Sequence, residues 1–264
     1  MSLFMLPRGV HLNPSEVLKR LDGASLRELL GYYKESGNKV GIRRMESLSK
    51  MVVDLGGVLS KSLATSKDAR FTFSYTLRRR VYYVSRGERL ASEYELDIEH
   101  SVWVRTSSGL LVVLDSPSRR ISRALCQLVS LRLFNDPEAI TPLRLERRHV
   151  EAIEKWVVAK EHEVAGNIIR VTFRRASLDG SVIEEVSLRK EGLDTTEIYP
   201  KLKSSAHAII SLTFVTPLLP EIGRRVTCRI DNRGGVLVYT PSIRDVDLEV
   251  LVGRLEEVLG LKVA

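Results

Sequence analysis

Apolar residues in the first sixty positions recur every three or four, the period of helices with one buried face. Asn13 and Pro14 in NPSEVLKRLDG suit an N-cap and a first helical position, and Gly23 a stop. SLRELLGYYKESG places Leu26, Leu29 and Leu30 on one stripe and ends at Gly37. A third helix is expected from Val40 to about Leu63, with Ile42, Met45, Leu48, Val52 and Leu55 on its stripe. ATSKDA, residues 64–69, reads as a turn or linker. At Arg70 the period becomes two. Phe71, Phe73, Tyr75 and Leu77 alternate with polar residues, as along a half-buried strand. Val81–Ser85, Tyr94–Ile98, Val102–Thr106 and Leu110–Asp115 read as further strands, with Ser107–Gly109 as a hairpin turn. Ser116 as N-cap and Pro117 behind it open a helix striped by Ile121, Leu125, Leu128 and Leu131. After an extended ITPLRL, another helix runs from Glu146 to about Glu163.

Strands return at Asn167. IIRVTFRRASL and SVIEEVSLRK flank Asp179-Gly180, a strong hairpin signal. TTEIYPKLKSS suits a short helix broken by Pro200. HAIISLTFV is a strand, RRVTCRI and GVLVYT pair across DNRGG, and a last helix spans Ser242 to about Leu259. Short links make these strands antiparallel. The pattern predicts an α+β fold: a helical N-terminal subdomain, then mostly antiparallel sheets packed with helices, then a C-terminal helix. It marks three segments: 1–69 helical, 70–165 α/β with basic helices, and 166–264 antiparallel sheet plus C-terminal helix.

Composition narrows the function. With 44% hydrophobic residues over 264 positions, a large core is available. No run approaches twenty apolar residues, and the start has too short an apolar run for a signal peptide, so a cytoplasmic chain without a membrane segment is expected. Two cysteines, Cys126 and Cys228, make no disulfide framework, and without CxxC or HxxxH no zinc site or other cofactor is expected. Net charge is +8, 29 of the 41 basic residues are arginine, and Gln127 is the only glutamine. Many charges and few amides fit a thermophile's surface, which lowers the value of basicity as a sign of binding.

Four basic clusters remain candidates. FTFSYTLRRRVYYVSRGER interleaves Arg78, Arg79 and Arg80 with aromatics; arginine forks suit phosphates and tyrosine rings stack on bases. A solvated, charged strand edge explains the same residues. LDSPSRRISR puts Arg119, Arg120 and Arg123 at a helix start, where free N–H groups attract anions and cations oppose the dipole. Arg147 and Arg148 open the next helix beside His149, with Glu146 and Glu154 partly neutralising them. Arg174 and Arg175 lie on a strand, Arg170 and Arg174 sharing a face with Thr172. In the last three clusters an ordinary solvated face is the competing reading. Catalytic signals are poor: no GxxxxGK[ST], GxSxG, HExxH or GxGxxG occurs. Asp97 and Glu99, on one strand face, with His100 nearby and Asp115, are the sole hint of a metal-dependent nuclease.

VWVRTSSGLLVVLDSPSRRISRALCQLVSLRLF followed by LRLERRHVEAIEKWV resembles the middle of the centromere protein N kinetochore family, over about residues 13–165. That resemblance implies a helical domain joined to an α/β domain contacting nucleosomal DNA, with Arg119, Arg120, Arg147 and Arg148 as the basic residues carried over. The C-terminal part would bind a partner protein. By topology alone, His207 to Leu261 is similar to half of a TATA-box-binding-protein saddle. The reading from all of this is a non-catalytic nucleic-acid-binding protein, DNA before RNA, touching phosphates through arginines. The alternatives are a protein-interaction or homodimerisation module using the C-terminal strands LTFV and GVLVY, and the nuclease.

Overall fold

The computed structural model describes residues 1–52, 55–65, 68–114, 118–159, 161–178 and 180–261. Two antiparallel sheets and seven helices are seen among them, in two compact units, Met1–Thr141 and Pro142–Ala264, where the sequence pattern marked three segments. The α+β class and the C-terminal helix are as expected.

In the first unit β1 (Ser2–Met5) precedes three helices, α1 (Pro14–Leu21), α2 (Leu26–Glu35) and α3 (Lys39–Ser49). Asn13 caps α1, its side chain accepting from the Ser15 N–H. Ser25 and Glu28 form a capping box on α2. The expected third helix stops early, at Ser49, and Val58–Ala64 form a strand, β2, instead of its last turns. Gly57 is needed there: a Cβ at that position would fall 2.7 Å from the Phe73 ring and 3.0 Å from the Ser74 carbonyl oxygen. ATSKDA is therefore the β2–β3 connection, with Ala64 and Asp68 already in strands.

What reads as four short strands is two long ones. β3 (Asp68–Ser85) and β4 (Glu88–Arg105) are 18 residues each and pair in unbroken register from Asp68↔Arg105 to Ser85↔Glu88. Arg86 and Gly87 join them, both with positive φ, as a two-residue turn of the type matching strand twist requires. β5 (Leu110–Val113) pairs β4 on one side and β1 on the other. The two-residue β6 (Thr141–Pro142) closes the order β2-β3-β4-β5-β1-β6. α4 (Arg119–Phe134) begins later than expected. Its N-cap is Ser118, whose Oγ accepts from the Arg120 N–H; Ser116 and Pro117 fall outside the described residues. The stripes of α1 to α4 share one core with the inner face of the sheet: Val17, Leu29, Met45, Leu125 and Val129 against Phe71, Phe73, Val102 and Val104.

The second unit holds α5 (Arg147–Val158), β7 (Asn167–Leu178), β8 (Ser181–Arg189), α6 (Ile198–Ser205), β9 (Ala208–Val215), β10 (Thr227–Asp231), β11 (Val236–Val238) and α7 (Asp245–Val258). Asp179 of the expected hairpin lies outside the described residues, but β7 and β8 pair as predicted, through Leu178↔Ser181. α5 ends five residues before Glu163. Pro200 does not break α6; it is the third residue of the helix, where a backbone N–H has no intrahelical acceptor anyway. Strand order is β11-β10-β9-β7-β8. LTFV therefore lies in β9, whose two edges are both occupied, by β7 and β10. This corrects the expectation of a dimer paired through it, since no ladder edge is left to offer. GVLVY does reach an edge, at β11.

Candidate functional site

The long hairpin separates into two parts. From Asp68 to Leu77 the odd residues of β3 are buried; from Arg78 to Ser85 every residue is exposed. β4 is exposed from Glu88 to Asp97. Beyond Arg78, whose N–H donates to the Met51 carbonyl oxygen at 2.9 Å, the two strands pair only with each other among the described residues, as a free ribbon roughly 25 Å long. The three arginines diverge because strand side chains alternate. Arg78 and Arg80 share a face with Tyr82 and meet acids directly across the ladder: Arg78–Glu95 at 3.8 Å and Arg80–Glu93 at 3.7 Å. The guanidinium carbons of Arg80 and Arg89 lie 5.5 and 4.7 Å from the Tyr82 ring centroid. Arg79 lies on the opposite face, across from Tyr94, and makes no ion pair among the described residues.

The stronger convergence of cations is between α3 and α4. Here a cleft of about 420 Å³ is lined by Arg43, Arg44 and Ser47 from α3 and by Arg120, Arg123 and Gln127 from α4, over an apolar floor that includes Met45 and Leu48. Arg120 Nη1 donates to Ser47 Oγ at 3.1 Å, tying the helices together across it. One acid serves the group: Glu138 accepts from Arg44 at 3.2 Å and from Gln127 at 2.6 Å, with Arg123 at 3.9 Å. Arg43 has no ion-pair partner among the described residues. The start of α4 adds to this field. Its first turn contains no acid and has Arg119 and Arg120 in its first two positions, opposing the helix dipole. Sequence reasoning found Arg119, Arg120 and Arg123 but missed Arg43 and Arg44. IRRM reads as the polar side of an amphipathic helix, and nothing in it announces which helix lies alongside.

The basic residues of the second unit are more fully engaged. Arg147 donates to Glu151 Oε1 at 3.2 Å and to the Lys203 carbonyl oxygen at 2.7 Å; Arg148 pairs with Glu146 at 2.9 Å. His149 Nδ1 accepts from the Glu146 N–H, and burial together with Arg148 holds its pKa below the usual value. Arg175 has a positive φ of +49° and lies 3.5 Å from Glu184; Arg174 faces Glu185 across the ladder. Arg170 and Arg174 do share a face with Thr172, while Val171 and Phe173 point inward.

Glu154, expected as a surface neutraliser of the Arg147 cluster, is buried instead, accepting from the Tyr199 hydroxyl and from Lys203 Nζ. Burial raises its pKa, with Lys203 pulling the other way. A carboxyl raised in the fold contributes stability that is complete below its unfolded value of about 4.3 and is lost as pH rises through the folded value. Glu154→Gln removes that titration, so its stability should gain on the wild type as pH rises from about 4 to 7. Urea midpoints across pH check this, and a pH-independent difference would refute it.

The nuclease cluster does not assemble. Asp97 accepts from Thr76 Oγ1 and Glu99 from Ser74 Oγ on the outer face. His100 is buried on the other face, with Nε2 2.9 Å from the hydroxyl of Tyr75, a phenol that burial pushes up to about 12. Asp115 lies outside the described residues. Among those described, no three His, Cys, Asp or Glu side chains are grouped so as to hold a metal ion. Cys126 and Cys228 are buried free thiols, with pKa raised by burial. No described helix is long and apolar enough to cross a membrane. No family model and no curated protein matches the chain.

Proposed function

We propose that this chain is a non-catalytic nucleic-acid-binding protein, DNA before RNA, whose principal phosphate site is the α3–α4 cleft. The single observation carrying the proposal is the meeting of four guanidinium groups from two helices over one carboxylate. Arginine forks match phosphate oxygens in bidentate fashion, and the α4 N-terminus favours the same charge. The surface pairs of Arg44 and Arg123 with Glu138 do not oppose this, since exposed ion pairs are worth at most about 1 kcal/mol and a phosphate can replace the carboxylate. The ribbon arginines take second place because Arg78 and Arg80 each face an acid of their own, whereas the four cleft arginines meet over one. Arg147, Arg148 and Arg175 are discounted on the same ground. Phosphate contacts of this kind position a nucleic acid without reading bases.

Fluorescence anisotropy with a labelled duplex, a single strand and an RNA hairpin, at several salt concentrations, tests the reading. The expected result is micromolar or tighter binding to duplex DNA, with log K falling linearly in log salt. A slope of about −0.9 per phosphate on duplex DNA counts the contacts. Absent or salt-insensitive binding would overturn the proposal.

A further inference from the structure

The ribbon has one face with all its inner charges satisfied and one without. On the outer face Arg78, Arg80, Glu93 and Glu95 are paired across the strands. The other face continues the core side of the sheet, and register gives its ladder outward from Leu77↔Leu96: Arg79↔Tyr94, Val81↔Ser92, Tyr83↔Leu90, Ser85↔Glu88. Leu90, Val81, Leu96, Tyr94 and Tyr83 on it are 39% to 48% exposed. A lone two-stranded ribbon is marginal in water, and an apolar strip along one side makes it more so. The two charges on this face, Arg79 near the base and Glu88 near the tip, have no ion-pair partner among the described residues.

We infer that this face docks on the same face of a second copy of the chain, the two ribbons lying antiparallel. The charge pattern selects both the partner and the direction. A two-fold axis across the strands, midway between the Val81↔Ser92 and Tyr83↔Leu90 levels, brings the Arg79 level of each copy over the Ser85↔Glu88 level of the other, so that Arg79 reaches Glu88 diagonally across the strands, giving two identical ion pairs. The same operation lays Val81 of each copy over Tyr83 and Leu90 of the other. A two-fold along the ribbon instead brings Arg79 level with Arg79 and Glu88 level with Glu88, like charges diagonally across the strands, and is penalised at both ends. Two twisted ribbons packed about 10 Å apart at about −30° have the geometry of an ordinary aligned sheet pair. Each face offers roughly 500 Å², so the pair reaches about the 1,000 Å² at which specific association begins. A micromolar dimer follows, not an obligate one.

Sedimentation velocity of the whole chain without nucleic acid, from about 1 to 100 μM, reads this independently of the phosphate cleft. The wild type should pass from monomer to dimer across that range. Arg79→Glu alone and Glu88→Arg alone should each weaken the dimer by at least about tenfold, one lost charge pair per symmetry-related site. The double variant Arg79→Glu with Glu88→Arg restores the complementarity and should restore the dimer. Circular dichroism of each variant establishes that the ribbon is folded, and Tyr83→Ser, which changes no charge, should also weaken the dimer. A chain that is monomeric throughout overturns the inference. So does a dimer indifferent to Arg79→Glu, or a double variant no better than the singles. A monomer whose DNA affinity drops on Tyr83→Ser assigns the face to nucleic acid and overturns it as well.

Discussion

Asp68→Ala should remove roughly 3–5 kcal/mol of stability. Asp68 begins β3 opposite Arg105 at the end of β4, and its carboxylate is almost wholly covered. Its Oδ2 accepts from Arg70 Nη2 at 3.2 Å and from Arg105 Nη1 at 3.3 Å. The Arg70 guanidinium also lies over the Trp103 ring, 4.8 Å from its centroid. Without the carboxylate, two largely buried cations lose the counter-charge they share, and removing one member of a buried ion pair is the costly way to break it. Asp68→Asn keeps an acceptor and loses the charge, so it should fall between. Replacing Asp68, Arg70 and Arg105 together by Leu, Met and Met should recover much of the loss, because the desolvation cost leaves with the charges. Urea unfolding followed by Trp103 fluorescence, in a Trp156→Phe background, reads the unit directly. A loss under about 1 kcal/mol for Asp68→Ala would show that the triad is solvated and the sheet base loosely closed.

Periodicity made the fold class legible because most elements bury one face. Phe71, Phe73, Tyr75 and Leu77 alternate as a strand should, and all four are buried. Caps were legible where a side chain closes its own helix, as Asn13 does. What was not legible is set by tertiary partners. VLSKSLA has one buried residue, Leu59, so no period marks it as a strand; pairing with β3 does. The ribbon's continuity was hidden for the opposite reason: Val81–Ser85 and Tyr94–Ile98 read as separate short strands because, exposed on both faces, the ribbon carries no inside-outside contrast, and the alternation ends at Leu77 although the strand does not. The arginines were legible as a composition, but their engagement depends on register. RRR looks like one cluster and is two faces, one of them paired with Glu95 and Glu93 fifteen or so positions away. Arg43 and Arg44 met Arg120 and Arg123 only when α3 came alongside α4.

That meeting supports the sharpest functional expectation. Arg43→Glu with Arg120→Glu should weaken duplex binding roughly 100-fold and lower the salt slope by about 2, each lost charge-assisted contact removing roughly 1.5 kcal/mol. Both side chains are exposed and neither supports the core, so the fold should survive. Arg120 gives up its hydrogen bond to Ser47 Oγ, which is also exposed and worth about 1 kcal/mol at most. Glu138→Gln works in the opposite sense. It removes the one carboxylate that Arg44 and Arg123 share and keeps an acceptor for Gln127, so binding should tighten by several-fold at low salt and by less as screening grows. The opposite signs make the pair diagnostic. If basicity anywhere on the surface drove binding, Arg147→Glu with Arg148→Glu would cost as much as the cleft variant, and Glu138→Gln would help no more than removing any other exposed acid, such as Glu93. A cleft that holds the phosphate separates these outcomes. Its reversal flattens the salt dependence by two contacts, while reversal at Arg147 and Arg148, already held by Glu151, Glu146 and the Lys203 carbonyl, leaves the slope nearly unchanged. Equal losses at the two places, or an unchanged slope after Arg43→Glu with Arg120→Glu, would remove the cleft as the site.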